Sequence, residues 1–160
     1  MMVFSSAGFA EPKHLRTETW NSVYLLCELS GEEKFTNFTL QHHQEKTLNG
    51  TATVVIENRR EIFDDPKENF EYRIATIGSR GNPFFSVTNS LSTVEQSSEK
   101  EFKFASSEDN GGNDYTYLSI NRMTGTLNYS DRNFLNLTSE NLLITKEFYG
   151  NCEKQTKQKF

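Results

Sequence analysis

The chain has 160 residues and a formal net charge of −5 at pH 7, a length that suits one domain with a single core. The acidic balance argues against non-specific nucleic-acid binding, which depends on clustered Lys and Arg. No apolar run approaches the ~20 residues of a membrane-spanning helix. Only 34% of the residues are hydrophobic, but the chain contains 13 Phe, 6 Tyr and 1 Trp. Since each aromatic ring buries about 150–250 Å², we expect a core built from a few large rings.

The first residues have features of the end of a secretory signal peptide. Residues 1–10 are apolar and small, and Gly8 and Ala10 stand where signal peptidase requires small side chains, just before Glu11. The run is short and no Lys or Arg precedes it, so an ordinary apolar N-terminus is the alternative. We interpret residues 1–10 as a signal-peptide remnant and residues 11–160 as one β-rich domain. This interpretation predicts a periplasmic or secreted protein.

The two cysteines lie near opposite ends of the chain. A bond between Cys27 and Cys152 would close a loop of about 125 residues and stabilise the fold by on the order of 4–5 kcal/mol. Such a bond persists in an oxidising compartment, whereas two buried free thiols would suit a cytosolic protein. The CxxC spacing of a redox or zinc site is absent from the sequence. We predict the disulfide.

Hydrophobic residues recur with the period of two that is typical of β-strands. In "SVYLLCEL", Val23, Leu25, Cys27 and Leu29 share one face. In "NFEYRIATI", Phe70, Tyr72 and Ile74 point to one side of the strand, and Glu71 and Arg73 point to the other. Further strand segments are "NFTLQ", "TATVVIEN", "FFSVTNSL", "EFKFA", "YTYLSINR", "GTLNYS" and "LLITKEF".

Turn residues separate these segments. Asn49-Gly50 is a strong hairpin signal, "FDDPKEN" predicts a turn at Pro66, and "RMTGT" predicts a tight hairpin at Gly125. One or two short helical turns are expected among residues 11–20, 92–100 and 131–136.

Many short strands and hairpin turns favour an all-β fold, an antiparallel up-and-down barrel or sandwich of about eight or nine strands. A lipocalin-like barrel of this size holds one small ligand. The candidate ligand-lining residues are aromatic side chains of the predicted strands, with core filling as the alternative role for each: Trp20, Tyr24, Phe70 and Tyr72.

Motifs for catalysis or metal binding are weak. His42 and His43 are neighbours and would face opposite sides of a strand, so they are poorly placed to share one metal ion. The loop "EDNGGND" is oxygen-rich but lacks the EF-hand spacing, and no G-x-S-x-G motif is present. A pair of carboxylates brought together only by folding stays open. We predict no catalytic residue, no metal site and no cofactor.

The segments "YLSINRMTGTL" and "GNCEKQTKQKF", together with Cys27, resemble a group of small exported two-cysteine proteins of marine and other alphaproteobacteria. The matching positions are Leu118, Ile120, Arg122, Thr124, Gly125, Gly150, Cys152, Lys154 and Phe160. Because that group has no established activity, the resemblance implies export and a β-rich fold but no mechanism.

These observations favour a non-catalytic exported β-barrel that binds a small apolar ligand or a partner protein. One alternative is an inhibitor or chaperone-like module that docks on another exported protein. Another is an enzyme with an unrecognised carboxylate site. Nucleic acid is not an expected partner, and no transmembrane segment is expected.

Overall fold

The computed structural model describes residues 13–78, 89–91, 98–106 and 114–156. The predicted all-β class is confirmed: the described residues form eight strands and one short 3₁₀ turn at Pro66–Glu68. The strands are β1 (His14–Asn37), β2 (His42–Phe63), β3 (Phe70–Gly78), β4 (Asn89–Leu91), β5 (Glu101–Ser106), β6 (Tyr115–Asn121), β7 (Thr126–Asn136) and β8 (Asn141–Gln155). The predicted signal-peptide remnant and most of the loop "EDNGGND" lie outside the described residues.

All eight strands belong to one antiparallel sheet with the order β4-β3-β2-β1-β8-β7-β6-β5. Consecutive strands pair from β1 to β4 and from β5 to β8, and β1 pairs with β8, so the predicted up-and-down barrel is confirmed. The barrel is nearly closed: β4 and β5 approach each other but do not pair. Because β4 has only three residues, seven strands form most of the wall, slightly fewer than expected.

Inward-facing side chains of all the longer strands form the core. The predicted alternation of Cys27 and Leu29 on β1 is confirmed, and Phe102 and Phe104 of β5 are buried as expected. The stacked rings of Tyr129 and Phe148 have centroids 6.0 Å apart. The other core residues are Leu48, Ala52, Val54, Ile56, Ala75, Ile77, Leu118, Ile120 and Leu127.

The end of the barrel near residue 20 continues into a three-stranded ribbon. Strand β1 pairs with β8 only from Tyr24 onward, and its register with β2 shifts between Trp20 and Val23, where Asn21 has a φ of 50°. Such a bulge bends a strand and lets it leave the barrel wall. We call residues 14–20, 58–63 and 70–73 the ribbon.

Two turn predictions are confirmed and one is wrong. Pro66 begins the 3₁₀ turn, and Gly125 lies in the turn between β6 and β7 with a φ of 76°. The Asn49-Gly50 pair, by contrast, lies inside β2, opposite Ser30 and Leu29 of β1. Continuous pairing with a 24-residue neighbour overrides the local turn preference.

Three further local expectations are also wrong. "NFTLQ" is a turn, because the Asn37 side chain accepts hydrogen bonds from the backbone N–H groups of Thr39 and Leu40 and closes the β1–β2 hairpin there. In two segments expected to hold helical turns, residues 14–20 and 131–136 are parts of β1 and β7, since they pair with β2 and β8. In the third segment, 92–100, residues 92–97 lie outside the described residues, and residues 98–100 are not helical.

The alternation on β3 is as predicted, but the side that faces the barrel interior is the unexpected one. Ala75 and Ile77 pair with Ile56 and Val54, which are core residues, so the inward face of β3 also carries Arg73. Phe70 and Tyr72 consequently lie on the outward face.

Candidate ligand-binding cleft

A cleft of about 350 Å³ opens at the end of the barrel where β1 leaves β8. This volume falls at the lower end of the ~300–1,000 Å³ that is usual for small-molecule sites. Its apolar wall comes from three strands, namely Val23 and Leu25 of β1, Phe102 of β5 and Ile120 of β6. The β6–β7 turn (residues 121–125), Cys152 and Lys154 complete the lining.

The β6–β7 turn is held rigidly against β8. The Asn121 side chain accepts hydrogen bonds from the backbone N–H groups of Met123 (2.9 Å) and Thr124 (3.0 Å). The N–H of Cys152 donates to the carbonyl of Gly125 at 2.8 Å. A Cβ atom at Gly125 would lie 2.4 Å from the carbonyl oxygen of Cys152, so only glycine fits this approach. One side of the cleft is therefore preorganised.

The predicted disulfide is confirmed and borders the cleft. Cys27 and Cys152 are direct partners in the β1–β8 register, with Cα atoms 4.0 Å apart, and they form the bond. Cys27 is fully buried, and Cys152 contributes to the cleft lining. The bond joins the first and last strands of the sheet and is compatible with an oxidising compartment.

Three cationic side chains lie on the inward face around this cleft. The Cζ atoms of Arg122 and Arg73 lie 4.4 Å and 5.4 Å from the centre of the Phe102 ring. Arg122 also donates to the carbonyl of Ser98 at 3.0 Å, and Arg73 donates to the side chain of Asn58 at 2.9 Å.

The third cation is Lys154, which is the register partner of Leu25 and shares its inward face. Arg122 and Lys154 line the cleft directly, and Arg73 reaches the same Phe102 ring from β3. Among the described residues, none of these three cations forms an ion pair. The cleft thus combines an apolar wall with positive charge that no carboxylate of the described residues pairs.

The four predicted ligand-lining aromatics lie outside this cleft. Tyr24 is the register partner of Val55 and faces outward from the barrel wall. Trp20 lies under the guanidinium group of Arg60, at 5.6 Å, and lines a separate shallow hollow with Glu18 and Thr19. Phe70 and Tyr72 are neighbours on the ribbon, with ring centroids 5.6 Å apart. The structure does not bring the four together, and their role in binding stays a prediction.

Tyr72 belongs to a polar cluster centred on Glu61. Its hydroxyl donates to one Glu61 carboxylate oxygen at 2.7 Å, and Thr17 donates to the other at 2.8 Å, which His14 also contacts. The hydrogen bond from Tyr72, followed by that from Thr17, holds the pKa of Glu61 below its usual value. The same bond raises the pKa of Tyr72, because ionising the phenol would place two negative charges side by side.

His43, one of the two adjacent histidines, takes part in ordinary surface contacts. His43 contacts Thr36 at 2.9 Å and Glu45 at 3.1 Å. The hydrogen bond from His43, together with the charge of Lys34, lowers the pKa of Glu45. Within the ranges that the structure describes, no group of three or more His, Cys, Asp or Glu side chains is placed to hold a metal ion.

Comparison with known proteins gives no match for this chain. No protein family matches the chain, and no curated protein or solved structure is significantly similar to it. No helix in the described part of the chain is long and apolar enough to cross a membrane.

Sequence reasoning missed the cationic residues of the cleft. Arg73, Arg122 and Lys154 are distant in sequence, and each stands in a polar or mixed stretch that predicts a solvated side chain. The available signal was alternation: Lys154 is two residues from Cys152, and Arg122 is two residues from Ile120. Extending these inward series by one step would have placed both cations at the barrel mouth.

Proposed function

We propose that this protein is an exported, non-catalytic β-barrel that binds a small ligand in the cleft beside the disulfide. The observation that carries the proposal is the cleft itself, in which an apolar wall meets polar groups held by a rigid turn. Pockets of this composition are the usual sites of small-molecule binding. Export is supported by the Cys27–Cys152 bond, because such bonds persist in oxidising compartments.

Filling the cleft tests this proposal. Val23 lines the cleft, whereas Val55 is partly buried on the outward face of β2 and serves as a matched control. We expect wild-type protein purified from its export compartment to carry a small molecule, detected by native mass spectrometry as added mass that is lost on denaturation. Val23→Trp should abolish this added mass, and Val55→Trp should retain it. Added mass retained by both variants, or absent from the wild type, would contradict the proposal.

A second candidate function, docking on a partner protein, is favoured by the opposite end of the barrel. The β1–β2 and β7–β8 turns form an apolar tip, which we define as residues 38–41 and 137–140. Phe38, Leu40 and Leu137 are exposed there, Leu40 to 67%. The two turns are fastened together, because the N–H of Phe38 donates to the carbonyl of Asn141 at 2.9 Å. A rigid, exposed apolar surface is typical of an interaction site.

Docking is tested by placing charge on the tip. The Leu40→Glu/Leu137→Glu double variant should lose a partner that chemical cross-linking captures on the wild type in the export compartment. Leu15→Glu is the control, because Leu15 is also exposed but lies on the ribbon. A cross-linked partner that persists on the double variant would exclude the tip as the docking site.

A further inference from the structure

The inward faces of three strands change from apolar to cationic at the cleft. On β6 the inward series runs from Leu118 to Ile120, and Arg122 follows in the turn with its guanidinium group over the Phe102 ring. On β8 it runs from Cys152 to Lys154, and on β3 it runs from Ala75 to Arg73. Alternate residues of a strand share one face. Each of these three cations therefore follows the last apolar core residue of its strand, at the same end of the barrel. They converge although they are far apart in the chain.

Three described carboxylates that neighbour the cleft residues in the chain point away from the cleft or are already paired. Glu153 lies between Cys152 and Lys154 and so faces outward, and Glu101 beside Phe102 forms an ion pair with Lys103 at 3.2 Å. Glu71 shares the inward face with Arg73 but is ion-paired with Arg60.

Some cations outside the cleft have carboxylate partners. Lys34 lies 3.3 Å from Glu32, and Arg59 lies 2.7 Å from Glu57. The chain carries 22 acidic residues against 17 Lys and Arg, so acidic partners are abundant in its composition. The distinctive feature of the cleft is the grouping of Arg73, Arg122 and Lys154 beside one apolar wall, with no ion-pair partner among the described residues.

Holding these cations close together is unfavourable unless an anion lies between them. Both guanidinium groups lie within 6 Å of the same ring centre, so they are separated by roughly one Debye length or less. A half-enclosed, partly apolar cleft screens like charges less than open solvent does. An anionic group bound between Arg122 and Lys154 would relieve this repulsion and accept charge-assisted hydrogen bonds.

We infer that the ligand of the cleft is a small amphiphile with an anionic headgroup. This inference rests on the proposed function and names the class of ligand. The headgroup, a carboxylate, sulfate or phosphate, binds Arg122 and Lys154, and Arg73 adds to the positive potential from behind Phe102. The apolar tail packs on Val23, Leu25 and Ile120. The volume of about 350 Å³ suits a short single chain rather than a multi-chain lipid.

Isothermal titration calorimetry with four eight-carbon probes separates the effect of headgroup charge on binding affinity from the effect of the apolar chain. The probes are octanoate, octyl sulfate, 1-octanol and octylammonium. We expect the two anions to bind the wild type at least about tenfold more tightly than 1-octanol, since hydrogen bonds to charged groups supply that difference. Octylammonium should bind most weakly. Arg122→Gln and Lys154→Gln should each weaken octanoate binding without weakening 1-octanol binding.

Matched controls are available on the same protein. Lys67 is exposed in the 3₁₀ turn and Arg132 is exposed on β7, so Lys67→Gln and Arg132→Gln should leave octanoate binding unchanged. Lys154 is itself exposed, so Lys154→Gln is expected to fold, as circular dichroism and the unfolding midpoint would verify.

The outcomes distinguish the inference from the proposed function. If 1-octanol binds as tightly as octanoate and Val23→Trp blocks both, the cleft binds ligands but the anionic headgroup is refuted. If none of the four probes binds, the small-ligand function fails and the inference fails with it. If the anionic preference survives in Arg122→Gln/Lys154→Gln, the headgroup site lies elsewhere and the inference is overturned.

Discussion

Breaking the Cys27–Cys152 bond should remove a large share of the stability of this protein. The bond closes a loop across a sequence separation of 125 residues, so most of the chain lies inside it. In the chain-entropy treatment, a loop of that size stabilises the folded state by about 5 kcal/mol. Measured losses for native disulfides are typically about 2–5 kcal/mol. A domain of this size has a total free energy of unfolding of only about 5–15 kcal/mol.

The measurement is guanidinium unfolding of the oxidised protein, of the same protein in reductant, and of Cys27→Ala/Cys152→Ala. We expect the free energy of unfolding to fall by about 2–5 kcal/mol. In a parallel thermal scan, the same loss lowers the midpoint temperature by roughly 6–15 °C. Alanine avoids placing a hydroxyl group at the fully buried Cys27. Ellman titration must show two free thiols per chain in the reduced sample. If that sample unfolds with the free energy of the oxidised protein, the loop-closure reasoning is refuted.

Three further predictions concern single side chains. Gly125→Ala should destabilise the protein by about 1–3 kcal/mol in urea unfolding, because φ is 76° and the new methyl group would meet the carbonyl of Cys152. Asn37→Ala should cost about 1–3 kcal/mol in the same assay, since two backbone N–H groups lose their acceptor at a buried position. Glu61 has a lowered folded-state pKa, so its contribution to stability is present above its unfolded pKa of about 4.3 and is lost as the pH falls below it. Glu61→Gln should flatten the acid limb of the stability profile and return the pKa of Tyr72 toward 10.0, read from its ring ¹³Cζ shift.

Each of these predictions has a defined control or contrary result. Gly78→Ala is the comparison for Gly125→Ala and should be tolerated, because the nearest atom of the described residues to its Cβ, the Thr53 hydroxyl oxygen, would lie 3.7 Å away. Unchanged stability in Asn37→Ala would mean that water replaces the Asn37 acceptor at the hairpin. A Tyr72 pKa that does not move in Glu61→Gln would rule out the Tyr72–Glu61 hydrogen bond as the cause of the shift.

The sequence alone determined the all-β class, the disulfide and the tight turn at Gly125. Alternation along "SVYLLCEL" and "EFKFA" is a local property, and it is preserved in β1 and β5 because one side of each strand packs in the core. The positive φ of Gly125 follows from a short connection between two paired strands.

Local signals failed where long-range pairing decided the conformation. Asn49-Gly50 has the composition of a hairpin turn, yet β1 supplies partners on both sides of it and the strand continues. The hairpin forms instead at residues 38–41, where the buried Asn37 side chain satisfies two backbone N–H groups. The turn preference of a single residue pair such as Asn49-Gly50 is outweighed by the many backbone hydrogen bonds between two long paired strands.

Only the tertiary structure decided which face of each strand is inside and, with it, the candidate site. A period of two separates the side chains of a strand into two faces, but it does not show which face points into the core. On β3, pairing with β2 turns Ala75, Ile77 and Arg73 inward and leaves Phe70 and Tyr72 outside. Barrel closure through β1 and β8 then brings Arg73, Arg122 and Lys154 to one mouth. Their proximity depends on strand order and register, which are properties of the whole sheet rather than of any segment.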